Sequence, residues 1–355
     1  MMFRRSSCPS SGQTVPDVRS VFSGTDQVAP SSGEAWKLST YAGVFDGIEP
    51  FAGDVLRGYL VDFLGTFTDA KFRTLFGVDP ANAGGAYVET ALPELSRDGE
   101  GWFEAVDWVM AAREASGSYV MMTLGACYGA QAVGASRALQ LVNPMPFKLV
   151  AVEPMPENMR WVEKHLLDNG IDPKNHWLVQ LAISDRLDPV YFPVGAPGSG
   201  AQNCYSTNEV DARNEYVRQL SEDPQSALRD LILTGRTGIT RDLVPGEGWS
   251  AEICLLSAIT LKELLGPFER VDYLESDIQQ SEILVFPPYI ELLREKVCRI
   301  HIGTHGGDVH AQLADLFGSD GWEIVFNFPP NSTFETDLGA FATNDGILTV
   351  RNPVL

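Results

Sequence analysis

The sequence predicts an α/β fold built on a parallel sheet with helices on both faces. Three observations predict it. From residue 118, short apolar runs alternate with amphipathic stretches. The first run, "SYVMMTL", ends in "GACYGAQAVG" (125–134), a loop of small residues opening a helix. The second run ends in an acid, Glu153, stopped by Pro154.

In chain order, residues 1–35 are rich in Ser, Pro and Gly and read as irregular. Residues 50–115 read mostly helical, because "FAGDVLRGYLVDFLGTF" and "GWFEAVDWVMAARE" place apolar residues at helical spacing, with "GVDPANAGGAY" between them. This gives an irregular and helical region over 1–100, followed by an α/β domain over 101–355. In that domain "SYVMMTL" is a buried strand, "AQAVGASRALQLV" a helix and "FKLVAVEP" a second strand. "PENMRWVEKHLLDNG" is an amphipathic helix capped at Gly170, and "HWLVQLAIS" a third strand. "DPVYFPV" is a strand leading into a loop, and 195–250 is an insertion placed to cover a site, with mixed helical pieces after 206. The alternation resumes with "ITLKELL", the strand "RVDYLES", a helix over 280–295, the strand "VCRIHIGTH" and a helix over 307–317. "GWEIVFNF" and "FATNDGILTVRN" close the chain as a two-stranded hairpin.

Charge and cysteine content narrow the function. The net charge of −21 argues against a nucleic-acid backbone or an anionic membrane surface as partner. No run reaches the roughly 18 apolar residues of a membrane span. "MMFRRSSCPSSG" lacks the apolar stretch of a secretory signal. Five cysteines, none in a CxxC pair, argue against a disulfide framework or zinc knuckle and read as reduced cytoplasmic thiols.

Ligands of open α/β sheets bind beyond the C-terminal strand ends. There the first strand offers Thr123, Gly125, Ala126, Cys127 and Gly129, and the second Glu153 and Pro154. A rigidly held carboxylate accepts both hydroxyls of a ribose, and Glu153 lies one strand–helix unit beyond the glycine loop. Cys127 stands where a dinucleotide loop has its middle glycine, leaving Gly125 and Gly129 at a GxxxG spacing. That favours a cofactor without phosphates, such as S-adenosylmethionine, over a nicotinamide dinucleotide. The alternative is that both glycines serve tight helix–sheet packing. Asp277 ends the strand in "VDYLESDIQQSE", and His301, Gly303 and His305 share a face in "RIHIGTHGG". If these strands are neighbours, Asp277 and His305 emerge together, a carboxylate–histidine pair suited to removing a hydroxyl proton. His301 reads as a core residue and reserve base, and Asp277 is equally suited to capping the next helix. Histidines 301, 305 and 310 with Asp308 form no HExxH or comparable set, so no metal is expected.

"LGACYGAQ", "VAVEPMPENMRWVEKHLLDNGI", "LAISD", "VDYLESDIQQSE" and "RIHIGTHGGDVHAQLADLFGSDGWE", in this order over about 118–350, resemble the FkbM-type S-adenosylmethionine-dependent methyltransferases. The resemblance implies a class I methyltransferase (Rossmann-like) fold, with seven mostly parallel strands and an antiparallel last strand. It implies O-methylation of a sugar or secondary-metabolite hydroxyl, hence a small-molecule or glycan acceptor, and leaves homo-oligomerisation open. It implies that Gly125, Ala126 and Gly129 wrap the methionine part, Glu153 holds the ribose, Ala182 and Ile183 lie against adenine, and Asp277 faces the methyl group. With it, His305 is the expected base, oriented by Asp277. Two departures stand out. The acid usually found two residues before the first loop glycine is Thr123, and the usual Gly-Ala of "DIQGAE" is Gln280-Ser281. They motivate a second reading, a cofactor-binding protein without catalysis. N-methylation of a small molecule is a third.

Overall fold

The computed structural model describes residues 36–76, 78–194, 236–244 and 249–355. In the N-terminal region β1 (Ala52–Val55), β2 (Tyr59–Val61) and the start of β3 (Phe67–Asp69) replace the first expected helix, and β4 (Ala86–Glu89) follows further on. β1 pairs with β4 and β2 with β3, both antiparallel. Turn chemistry overrides the apolar spacing here. Asp62 Oδ1 accepts the backbone N–H groups of Leu64 and Thr66 at 3.0 and 2.9 Å, and Oδ2 accepts the Thr66 hydroxyl. Gly65 within this turn has φ +78°, which no helix can use. A 3₁₀ stretch over Ala70–Phe76 follows, then α1 (Leu95–Asp98) and α2 (Glu100–Glu114). The second predicted helix is thus present, and it buries Trp102, Phe103, Val106, Val109 and Met110. Such side chains contribute about 1.5–3 kcal/mol each when fully buried.

The α/β domain begins with β5 (Tyr119–Leu124), α3 (Ala130–Val142), β6 (Phe147–Val152) and α4 (Pro156–Asp168), as read from the sequence. Gly170, at φ +76°, follows the α4 C-cap Asn169. The third expected strand is two: β7 (Trp177–Val179) stays in the main sheet, and β8 (Ala182–Ile183) leaves it to pair elsewhere. β9 (Val190–Val194), β10 (Arg236–Val244) and β11 (Trp249–Leu256) form a separate sheet in the order β10-β11-β9. The helical pieces expected after 206 lie outside the described residues up to 235, and 236–244 is strand. β12 (Ala258–Ile259) is the parallel partner of β8.

α5 (Leu261–Leu265) and β13 (Tyr273–Ser276) come next. The helix expected over 280–295 is broken into α6 (Glu282–Val285) and α7 (Ile290–Lys296), because Pro287 and Pro288 cannot donate helix hydrogen bonds. β14 (Arg299–Thr304) and α8 (Gly307–Ser319) follow. The chain ends in β15 (Glu323–Phe328), β16 (Ser332–Thr336), β17 (Gly339–Thr343) and β18 (Gly346–Arg351). β15 and β18 form the expected antiparallel pair. The sequence did not disclose the β16–β17 hairpin between them.

The main sheet has the order β15-β18-β14-β13-β5-β6-β7. β7 to β14 run parallel, and β18 is antiparallel to both its neighbours. This is the class I methyltransferase fold. Alternate strand residues feed two cores. Met121, Leu149, Ala151 and Tyr273 pack with α2, α3 and α4, whereas Met122, Val150, Val152 and Leu274 pack with α5, α7 and α8. The first core also holds Leu38, Val44, Phe45, Phe63 and Leu64 of the N-terminal region. Trp36 donates its N–H to Glu335 O at 3.1 Å, and Asp337 Oδ1 accepts the Leu38 N–H at 2.7 Å. Among the described residues no helix is long and apolar enough to cross a membrane.

Candidate active site

The strand order switches between β5 and β13, so their C-terminal ends lie side by side. The Asp277 N–H donates to Leu124 O at 3.0 Å, and the Gly125 and Ala126 N–H groups donate to Val152 O at 3.0 and 2.9 Å. Gly125 has φ +82°, and a Cβ there would overlap the Asp277 carbonyl oxygen. Only glycine fits. Gly129, at φ +88°, starts α3 against Val162 of α4, as the packing reading expects. Cys127 is a non-glycine at φ +50°. Burial, then the nearby carboxylates of Glu153 and Asp277, push its thiol far up, which removes it as a nucleophile.

Glu153 is 1% exposed at the end of β6. Its Oε2 accepts the Cys127 N–H at 2.8 Å, and Oε1 accepts the Met155 N–H at 2.9 Å and the Asn158 amide at 3.4 Å. A carboxylate has about four acceptor positions, so Oε2, which takes one donor here, has an acceptor position unused. Burial raises its pKa to about 7 against these donors. Asn158 Oδ1, at the other end of the same amide, is buried with no partner. The residues on either side of Glu153, Val152 and Pro154, line a pocket together with Gly125, Ala182, Ile183, Phe192 and Ile278. Four sequence-selected positions (Gly125, Pro154, Ala182, Ile183) therefore share one wall. Arg186 and Phe192, which also line it, carried no motif.

Thr123 does not reach the cavity. It is fully buried, and its hydroxyl donates to Glu275, its register partner on β13. A carboxyl thus stands beside position 123, supplied by the neighbouring strand. Burial first, then repulsion from Asp277, raises the Glu275 pKa well above the carboxylate range.

Asp277 and His305 do meet, with His305 Nε2 3.6 Å from Asp277 Oδ1. A third member escaped the sequence: Asp345 Oδ1 is 3.2 Å from the same nitrogen. It follows β17 in a turn whose Asn344 and Asp345 N–H groups donate to Glu100 Oε1 at 2.7 and 3.1 Å. Only the pairing of β18 with β14 brings it here, so "TND" carried no signal. The Gln279 carboxamide bridges the pair, 2.9 Å from Asp277 Oδ1 and 2.6 Å from His305 Nε2. Burial opposes charge on His305, but the Asp345 hydrogen bond and the fields of Asp277, Asp345 and Glu282 outweigh it and raise its pKa to about 9. The surrounding acids thus favour the charged ring, whereas the sequence reading made it a ready base.

His301, the reserve base, belongs to the core. Its Nδ1 is 2.8 Å from Asp107 Oδ2 and 3.1 Å from Thr349 Oγ1, and it is 5% exposed. Arg299 donates to Asp107 Oδ1 at 3.0 Å and to Glu114, which locks β14 onto α2.

No known family profile matches the sequence, and no curated protein matches it. Three solved structures show what the chain is similar to. A precorrin-6y C5,15-methyltransferase from Geobacter metallireducens is 8% identical, over 70% of this chain and 86% of that one, with a TM-score of 0.34. A methyltransferase FkbM from Methylobacillus flagellatus is 9% identical, over 70% and 53%, with a TM-score of 0.36. A fibrillarin pre-rRNA processing protein from Methanococcus jannaschii is 10% identical, over 75% and 79%, with a TM-score of 0.32. The chain spans about half the length of the FkbM structure.

Proposed function

We propose that this chain is an S-adenosylmethionine-dependent methyltransferase acting on a hydroxyl of a sugar or secondary metabolite. The observation that carries the reading is Glu153, a buried carboxyl with an acceptor position to spare, set one strand from Gly125 beside the cavity. The residues fit the cofactor. Gly125, Ala126 and Gly129 would wrap its methionine part, Glu153 its ribose, and Pro154, Ala182 and Ile183 its adenine. Thr123 would act through Glu275. When bound, the cofactor supplies an electrophilic methyl carbon on a sulfonium.

The chain's own contribution is proton handling. In transfer to a hydroxyl, a carbon–oxygen bond forms, the carbon–sulfur bond breaks and the hydroxyl proton leaves. In this reading His305 receives that proton, and the nearness of Asp277 and Asp345, which would stabilise the resulting cation, supports it. At pH 7 a histidine of pKa about 9 is neutral in about one molecule in a hundred. A positive ligand charge entering between the carboxylates lowers that pKa and raises the neutral fraction.

The test is calorimetric titration with S-adenosylhomocysteine. Glu153→Ala should weaken binding by more than about tenfold, as loss of a charged hydrogen-bond acceptor does. Affinity equal to wild type overturns the site assignment. The second reading, a cofactor-binding protein without turnover, is favoured by the cationic state of His305, and turnover of any acceptor removes it.

A further inference from the structure

Three acids of α2, Glu100, Asp107 and Glu114, stand seven residues apart, which sets them along one face of the helix. Opposite them Arg299, His301 and His305 fall at even spacing on β14 and the residue just past its end, so they share a face. Two rungs between these rows are direct. Arg299 donates to Glu114 at 3.2 Å and to Asp107 at 3.0 Å, and His301 Nδ1 lies 2.8 Å from Asp107 Oδ2. Arg299 and Asp107 are almost wholly buried, so these bonds fix α2 against β14.

The third rung runs through backbone. Glu100 Oε1 accepts the N–H groups of Asn344 and Asp345 at 2.7 and 3.1 Å, and the Asp345 carboxylate lies 3.2 Å from His305 Nε2. The pairing of Thr304 with Gly346 sets Asp345 opposite His305. Gly346 leaves no room for a Cβ against Thr304 and His310, which pins the chain on the far side of Asp345. On the near side the turn rests on Glu100 and on a 3.3 Å bond from the Asn331 N–H to Asn344 O. The Asp345 side chain is 49% exposed, so packing does little to place its carboxylate and the backbone beneath it does more. His305 Nδ1 is buried without a partner, so the ring depends on what meets Nε2. Four acids face it: Asp277 past β13, Glu282 on α6, Glu100 on α2, and Asp345. Asp345 comes closer than Asp277, which stands at 3.6 Å.

We propose that Glu100 is a positioning residue, holding the turn that sets the Asp345 carboxylate against His305. Its bearing on catalysis rests on the methyltransferase reading, in which His305 takes the hydroxyl proton. The placement itself does not, and it gives α2 a part in the site beyond packing.

The experiment is an NMR titration of the histidine side chains in the full chain, with the His305 signal assigned by its loss in His305→Gln. Asp345→Asn should lower the His305 pKa by about one to three units, the usual effect of an adjacent opposite charge. Glu100→Ala should lower it by most of that amount. Glu100→Gln keeps an oxygen acceptor without the charge, so it should leave the His305 pKa near the wild-type value. Glu100→Ala added to Asp345→Asn should lower it little further, because Glu100 acts through Asp345. Unmoved signals from the other four histidines show that each variant is folded. Three results overturn the proposal. One is an unchanged His305 pKa in Glu100→Ala. The others are equal falls in Glu100→Ala and Glu100→Gln, or additive falls in the double variant, either of which means that Glu100 acts by its own charge. If Glu100→Ala does not fold, a fall in Glu100→Gln overturns the proposal by itself. A wild type that binds no S-adenosylhomocysteine yet titrates as expected sustains the placement and overturns the methyltransferase reading alone.

Discussion

The two sides of Gly125 hold their carboxylates in opposite ways. On the cavity side a single acid, Glu153, is 1% exposed and fixed by two backbone N–H groups and one amide. On the other side Asp277 and Asp345, with side chains 48% and 49% exposed, flank a histidine that carries their counter-charge. The first arrangement is set by the backbone and is complete before any ligand arrives. The second is a balance of charges, so its protonation depends on pH and on what enters. Binding is built rigidly and proton transfer is built to respond.

Five measurements would break or sharpen that contrast. The largest expected effect is on turnover. His305→Gln should lower it by about 10² to 10⁴, the usual contribution of a positioned acid–base group, with cofactor affinity nearly unchanged. Glu153→Gln should do the reverse, weakening S-adenosylhomocysteine by roughly ten- to a hundredfold while turnover at saturating cofactor persists. An exchange of these outcomes would mean that the two sides have been assigned the wrong way round.

A smaller effect follows from pH. Glu153 accepts ligand hydroxyls best as a carboxylate and has a pKa of about 7, so affinity should rise as pH rises through 7. Below that it should change by at most about tenfold per unit, and Glu153→Gln should flatten the profile. His305 runs the other way in stability. Its folded pKa of about 9 lies above the unfolded value near 6.5, so its contribution is complete below pH 6.5 and lost as pH rises through 9. Urea unfolding of wild type and His305→Gln should therefore converge above pH 9. The smallest effect concerns Thr123, where the two sides adjoin. Thr123→Val deprives buried Glu275 of its hydroxyl partner and should cost about 1–3 kcal/mol in denaturant unfolding.

The sequence disclosed best what depends on local pattern. Gly125, Glu153 and Pro154 follow successive strands, so strand recognition and one topological rule placed them together, whereas Ala182 and Ile183 came only with the family resemblance. Asp277 and His305 needed only that β13 and β14 be neighbours. Asp345 and Asp107 were invisible because each reaches its histidine from a distant part of the chain, one by antiparallel pairing and one from α2. Residues 51–67 misled because Asp62 and Gly65 set a turn that apolar spacing does not register. Thr123 marked a missing acid, and period-two reasoning on one strand could not show that Glu275 of the next strand stands beside it.

The bond between Leu38 and Asp337 joins residues 299 apart in sequence. Asp337 also accepts the Ser39 N–H and hydroxyl, and Trp36 packs on Phe328 and Phe334. A ribosome therefore releases the N-terminal region long before its partners exist. At about 5–20 residues per second, that wait lasts about 15 to 60 seconds. Leu38, Val44 and Phe45 are all buried in the finished core, but only part of their cover, such as Phe63 against Phe45, is made soon after them. The contacts of Asp337 with Leu38 and Ser39 therefore close only after nearly the whole intervening chain has been made.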